Sequence, residues 1–149
     1  MMKRRRLLIL SLFSGILLSL SWLPWFSGII LLVAFIPLLF MEEYLYSNKA
    51  HYRPYVALGY TYTAFFVWNL ITTWWIFKAS MVGGIIVVVV NSFLLSLVFF
   101  LFHITKRNLG RKFGNFSLLV YWIAWEHLYL NAEISWPWLN LGNGFAKDI

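Results

Sequence analysis

Residues able to do acid–base or metal chemistry are few in this sequence and far apart. Glu126 is the one acid set inside an apolar segment, where an ionisable group is costly and becomes a functional candidate for that reason. At helical spacing Trp122 and Leu130 share its face, and Tyr129 lies beside it. Two plainer readings stand next to a functional one. Glu126 could form an ion pair with His127 or an inner-loop arginine, or its carboxylate could snorkel from a shallow helix. The three histidines, His51, His103 and His127, fall on separate segments without metal-ligand spacing, so no metal site is expected. His103 follows an apolar segment beside Lys106 and Arg107 and reads as an interfacial residue. Glu42-Glu43 opens a polar loop, while Glu133 and Asp148 read as solvated loop acids. The chain has no cysteine, which removes thiol nucleophiles, thiolate metal sites and disulfides from these residues. There is no phosphate-binding loop, no dinucleotide glycine pattern and no Ser/His/Asp arrangement. No cofactor is expected.

A second kind of chemistry is concentrated near the end of the sequence. The run Trp136-Pro137-Trp138-Leu139-Asn140-Leu141-Gly142-Asn143-Gly144 mixes aromatic rings with turn formers. Proline between two tryptophans, then two glycines within three residues, cannot be a helix interior. Tryptophan is favoured where hydrocarbon meets lipid headgroups, so this run is expected to lie at a membrane surface.

Composition says what must position these groups. The chain of 149 residues is 62% hydrophobic and 21% aromatic but only 11% charged, against roughly 25% charged in soluble domains. An integral membrane protein is expected. The formal charge of +7 does not imply nucleic acid, because the basic residues sit in short clusters between apolar runs. Those runs predict an all-α bundle of five spans at 7–23, 27–41, 55–77, 85–104 and 116–130, with an outer loop over 131–149. Pro24-Trp25 breaks the first two spans into a hairpin, and Pro37 falls inside the short second one. Gly83-Gly84 reads as an outer turn, and Lys106, Arg107, Arg111 and Lys112 as a basic inner loop. The β-branched run at 85–90 could pass for a strand, but apolar character persisting for about 20 residues decides for helix. Ser11, Gly15 and Ser19 recur at i, i+4 and i+8, giving a small face that either packs closely on a neighbour or reflects ordinary composition. Ser92 and Ser96 do the same later.

Orientation follows from charge. With the N-terminus inside, ten of the twelve Lys and Arg residues fall on inner segments and only Lys78 and Lys147 outside. That bias predicts a cytoplasmic N-terminus and an outer, periplasmic aromatic loop.

Several pieces, in order along the chain, resemble the N-terminal membrane part of apolipoprotein N-acyltransferase. A basic N-terminus leads into a hairpin broken by Pro24. Trp74-Trp75-Ile76-Phe77, running on to Gly83-Gly84, is similar to that family's aromatic run before a Gly-Gly pair. Trp122 and Glu126 match a Trp-x-x-x-Glu helix, and Pro137-Trp138-Leu139-x-x-Gly142 matches a Pro-Trp-Leu-x-x-Gly loop. The sequence departs from the pattern at Trp136, where phenylalanine is common. It departs again at Tyr129-Leu130, in place of Arg-Gly, and at Asn143-Gly144.

The resemblance implies more than these residues hold. In that family a nitrilase-like domain with Glu, Lys and Cys takes an acyl chain from a phospholipid as a thioester. It then passes the chain to the amine of a lipoprotein's diacylglyceryl-cysteine. The implied partners are membrane phospholipid and an apolipoprotein, not nucleic acid, in a bacterial inner membrane and with a monomeric full-length enzyme. This chain would then be an N-terminal fragment lacking the catalytic domain and about two spans, inactive alone. Its expected part is to anchor and to shape lipid access, with Trp74, Trp75, Glu126 and Trp138 as lipid-site residues and no catalytic residue among them. The rival reading is a small non-enzymatic membrane protein, a transporter subunit or a lipid-binding structural protein. A small multidrug carrier would want an acid in its first helix, and 7–23 has none.

Overall fold

A computed structural model describes residues 4–132, 137–146 and 148. Among these residues every regular element is helical. Helix α1 (Arg4–Leu20) is followed by a 3₁₀ turn (Gly28–Ile30), α2 (Leu31–Ala34) and α3 (Ile36–Ser47). Next come α4 (Tyr55–Thr72), α5 (Ile76–Ala79) and α6 (Met81–Ile86), then a π-helical turn (Val87–Asn91) leading into α7 (Ser92–Leu109). Helix α8 (Arg111–Leu130) and two 3₁₀ turns (Pro137–Leu139, Leu141–Phe145) complete the chain. The predicted apolar segments fall mainly on helices, the β-branched run included, but 7–23 runs past the end of α1, 27–41 is interrupted at Phe35 and 55–77 breaks after Thr72. Two stretches, Gly28–Ser47 and Met81–Leu109, are long and apolar enough to cross a membrane.

The boundaries differ from expectation for identifiable reasons. Pro37 sits in the first turn of α3, where its missing N–H costs nothing, so the chain only jogs at Phe35 and stays helical to Ser47. Glu42-Glu43 is therefore helix, not the start of a loop. Gly83-Gly84 is helix as well: Ser80 caps α6 by accepting from Gly83 N at 3.1 Å. The Phe77 ring lies where a Gly84 Cβ would be, at 2.8 Å. The turn itself comes earlier, between Thr72 and Ser80. The basic cluster is helical too, with only Gly110, at φ +87°, separating α7 from α8.

The helices pack in the order α3 and α2 on α1, α1 on α4, α4 on α7 and α7 on α8. The small face of α1 is a packing face. A Cβ on Gly15 would stand 2.4 Å from the Ala64 carbonyl oxygen, so α1 and α4 approach to backbone contact. Ser14 Oγ donates to the Ala34 carbonyl at 2.6 Å, while Ser11 and Ser19 satisfy their hydroxyls on their own helix. Between α4 and the π-helical turn leading into α7, Asn91 Nδ2 donates to Asn69 Oδ1 at 2.7 Å in a buried pair. A spine of rings runs through the centre: Trp22 on Trp68, Phe65 on Trp122, and Phe99 on Phe102, with centroids 5.2, 5.9 and 5.0 Å apart. Each such pair adds ~0.5–1.5 kcal/mol beyond its burial.

Candidate functional site

The two ends of the bundle differ in chemistry. At one end, the beginning of α1, the turn 48–54 and the α7–α8 junction collect the charges. At the other, Trp22, Trp75 and Trp138 gather around the segment 137–145.

Glu126 builds that second end. It lies about four turns into α8, half-buried, and its Oε1 accepts from Trp122 Nε1 at 3.0 Å and from the backbone N–H of Leu141 at 2.8 Å. The first bond is the i−4 neighbour the helix provides. The second crosses to the loop, so the carboxylate pins the loop to α8. Other anchors agree. Trp22 Nε1 donates to the Trp138 carbonyl at 3.1 Å, and Asn143 Nδ2 closes the loop on the Pro137 carbonyl at 2.7 Å. Leu139 inserts into the core. Gly144 lies under Leu31 and the Trp22 ring, a Cβ there meeting Leu31 at 2.5 Å. Asp148 Oδ2 accepts from Gly28 N at 2.6 Å, so this acid is engaged rather than merely solvated.

Of the four lipid-site candidates, the structure brings three to the loop. Trp138 meets Trp75 edge to face at 5.8 Å, and Glu126 holds the backbone next to them. Trp74 turns aside, 53% exposed, with the Lys78 ammonium 4.8 Å from its ring centroid. The turn after Thr72 decides this, because consecutive residues there point in different directions. Trp136 and Glu133 lie outside the described residues.

An apolar groove of about 340 Å³ opens beside the pinned loop, with Phe35 and Leu141 on one side and Trp122, Ile123 and Glu126 of α8 on the other. Leu118 and Leu119 join it to a second groove of about 500 Å³ that runs between α3 and α8 to Glu43, Lys106 and Asn115. The two form one trough from the tryptophan end towards the charged end.

The charged end holds the cluster that sequence reasoning missed. Glu42, fully buried, accepts from Lys106 Nζ at 2.5 Å through Oε2 and meets His103 Nδ1 at 2.8 Å through Oε1. Lys106 also reaches Glu43 at 2.8 Å, and Arg111 pairs with Glu43 at the rim. His103 is thus buried and bonded, not interfacial. Glu126 is not the only acid placed inside the bundle. The available signal was the i, i+3 spacing of His103 and Lys106, which puts two polar groups on one face of an apolar helix. Among the described residues no group of three metal-ligating side chains converges.

Comparison with known proteins agrees along nearly the whole chain. Residues 14–149 match the family of apolipoprotein N-acyltransferase N-terminal domains. The apolipoprotein N-acyltransferase of Chlorobaculum tepidum is 29% identical over 141 residues, covering 93% of this chain and 25% of the relative. The chain therefore spans about a quarter of that relative's length. No solved structure matches.

Proposed function

The chain belongs to the apolipoprotein N-acyltransferase N-terminal domain family, and from that premise we propose that it is the membrane-embedded, lipid-guiding part of an acyltransferase of lipoprotein maturation. Five membrane-crossing segments, with the charged end cytoplasmic and the tryptophan loop periplasmic, make up this reading. Its support is the exterior: Ile9, Phe13, Leu32, Ile86, Leu101 and Ile123 all face outward. Such a surface suits hydrocarbon and would aggregate in water. The trough between α3 and α8 takes an acyl chain, and the loop at 137–145 forms its mouth. The single observation that carries this is Glu126 holding the Trp138 loop against the opening of an apolar groove. Acyl transfer itself belongs, in this reading, to the three quarters of such an enzyme that the chain does not span.

Two measurements test it. Because the sequence lacks cysteine, single cysteines can be introduced without background. Asn143→Cys should react with an impermeant maleimide from the periplasmic side, and Lys49→Cys only after the membrane is opened. The reverse pattern would invert the orientation. Second, in a longer protein carrying this segment, Trp138→Ala should lower phospholipid-dependent acyl transfer by up to about tenfold, the worth of one edge-to-face ring contact. Unchanged transfer and unchanged phospholipid KM would remove the loop from the lipid path.

A further inference from the structure

The charged end carries another groove, distant from the tryptophan loop and not continuous with the trough. It lies between the first turns of α1 and α4, which run parallel, encloses about 420 Å³, and is lined by Arg4, Leu8, Tyr52, Tyr55, Gly59 and Tyr60 among others. That volume is within the roughly 300–1,000 Å³ of small-molecule sites.

Its chemistry is divided along its length. Arg4 opens α1 and Tyr55 opens α4, so the permanent cation and the phenol donors lie at the helix starts. Leu8 and Gly59 follow one turn deeper. Tyr52 is held in place because Arg107 clamps its turn, donating to the Tyr52 carbonyl at 3.0 Å and to the Lys49 carbonyl at 3.1 Å. Gly59 is open where Gly15 is packed: a Cβ at Gly59 meets nothing within 4 Å. It leaves room in the groove and serves no helix contact.

Charge says what should fill it. The two acids of this end are committed, Glu42 to His103 and Lys106, and Glu43 to Lys106 and Arg111. Among the described residues Arg4, Arg5, Arg6 and Arg53 make no ion pair. The local surplus is cationic, above an apolar floor. A free phosphate would leave the floor uncovered, and a neutral chain would leave the guanidinium unmatched.

We propose that this groove seats an anionic phospholipid of the inner leaflet, its phosphate against Arg4 and the tyrosine hydroxyls and one acyl chain along Leu8 and Gly59. The proposal rests on the membrane-embedded reading and concerns a second lipid, separate from the acyl donor at the tryptophan end. Its consequence would be to fix the cytoplasmic ends of α1 and α4 in register.

The test purifies the 149-residue chain from membranes and exchanges it into micelles containing equal phosphatidylglycerol and phosphatidylcholine. Native mass spectrometry then counts retained lipids. Wild type should keep phosphatidylglycerol about fivefold over phosphatidylcholine, the worth of one basic residue at an anionic surface. Arg4→Gln should erase the preference. Gly59→Leu, whose Cβ has open space within 4 Å and whose side chain would occupy the groove, should cut retention of both lipids, while helical content stays at the wild-type level. Equal retention in wild type would overturn the proposal, as would variants that change nothing. Displacement of the lipid by millimolar inorganic phosphate would assign the site to a free anion instead. A chain that alkali extracts from membranes as soluble protein would sink the embedded reading as well. A chain that stays embedded but shows no preference sinks only this one.

Discussion

Replacing Glu42 with alanine should cost about 3–5 kcal/mol, the largest loss expected from any single substitution at the charged end. The carboxylate is 0% exposed, and its partner Lys106 only 2%. Removing it strands an ammonium inside the bundle with the half-exposed Glu43 as its remaining counter-charge. His103 Nδ1 loses its partner at the same time. Glu42→Gln keeps the shape and one acceptor but not the charge, so it should fall between wild type and alanine. Removing both charges as Glu42→Leu with Lys106→Met should recover much of the loss, because the ions then no longer have to be desolvated. Arg111→Gln is the control. Its pair with Glu43 lies at an exposed rim and should be worth ~0–1 kcal/mol. Unfolding in detergent, followed by helical circular dichroism, measures all four. Equal losses for Glu42→Ala and Arg111→Gln would show that the buried cluster carries no special share of stability.

This cluster also shows what could be read from the residues and what could not. Each of the long helices overlaps an apolar run, because apolar character that persists well beyond the length of a strand favours a helix. The runs did not say where each helix stops. Hydropathy falls at Glu42 and Lys106, yet both helices continue, since two acids and two bases from different helices neutralise one another there. A helix turns about 100° per residue, so Glu42 faces inward and Glu43 the rim. Sequence gives that alternation but not the partner on α7, some 60 positions later. The glycines divide in the same way. Gly83-Gly84 carries the composition of a turn but lies in a helix that Ser80 caps, and the Phe77 ring occupies the space a Cβ on Gly84 would need. At the tryptophan end the Trp122–Glu126 spacing was legible as a shared face. That Glu126 would reach Leu141 N depended on a loop whose path no periodicity encodes.

Glu126→Ala should have the largest functional effect. Its Oε1 receives two donors, one from α8 itself and one from the loop backbone. Hydrogen bonds to a charged acceptor are worth ~1.5–3 kcal/mol, and losing both releases the segment that carries Trp138. In a longer protein bearing this chain, a mouth displaced by about 1 Å can cost ~10²-fold in transfer. Glu126→Gln separates the possible roles. Glutamine keeps a carbonyl oxygen for Leu141 N and Trp122 Nε1, so a carboxylate acting only as a clamp predicts acyl transfer within about threefold of wild type, since neutral acceptors bond more weakly. A carboxylate that moves a proton or meets the substrate's ammonium predicts that glutamine fails as badly as alanine. Trp138 fluorescence adds a readout independent of activity, once the other tryptophans are subtracted with Trp138→Phe. The clamp predicts a red-shifted, more quenchable Trp138 in the alanine variant and a near-native spectrum in the glutamine variant. Loss of transfer in both variants with an unmoved Trp138 would reject the clamp and make Glu126 a participant in the chemistry.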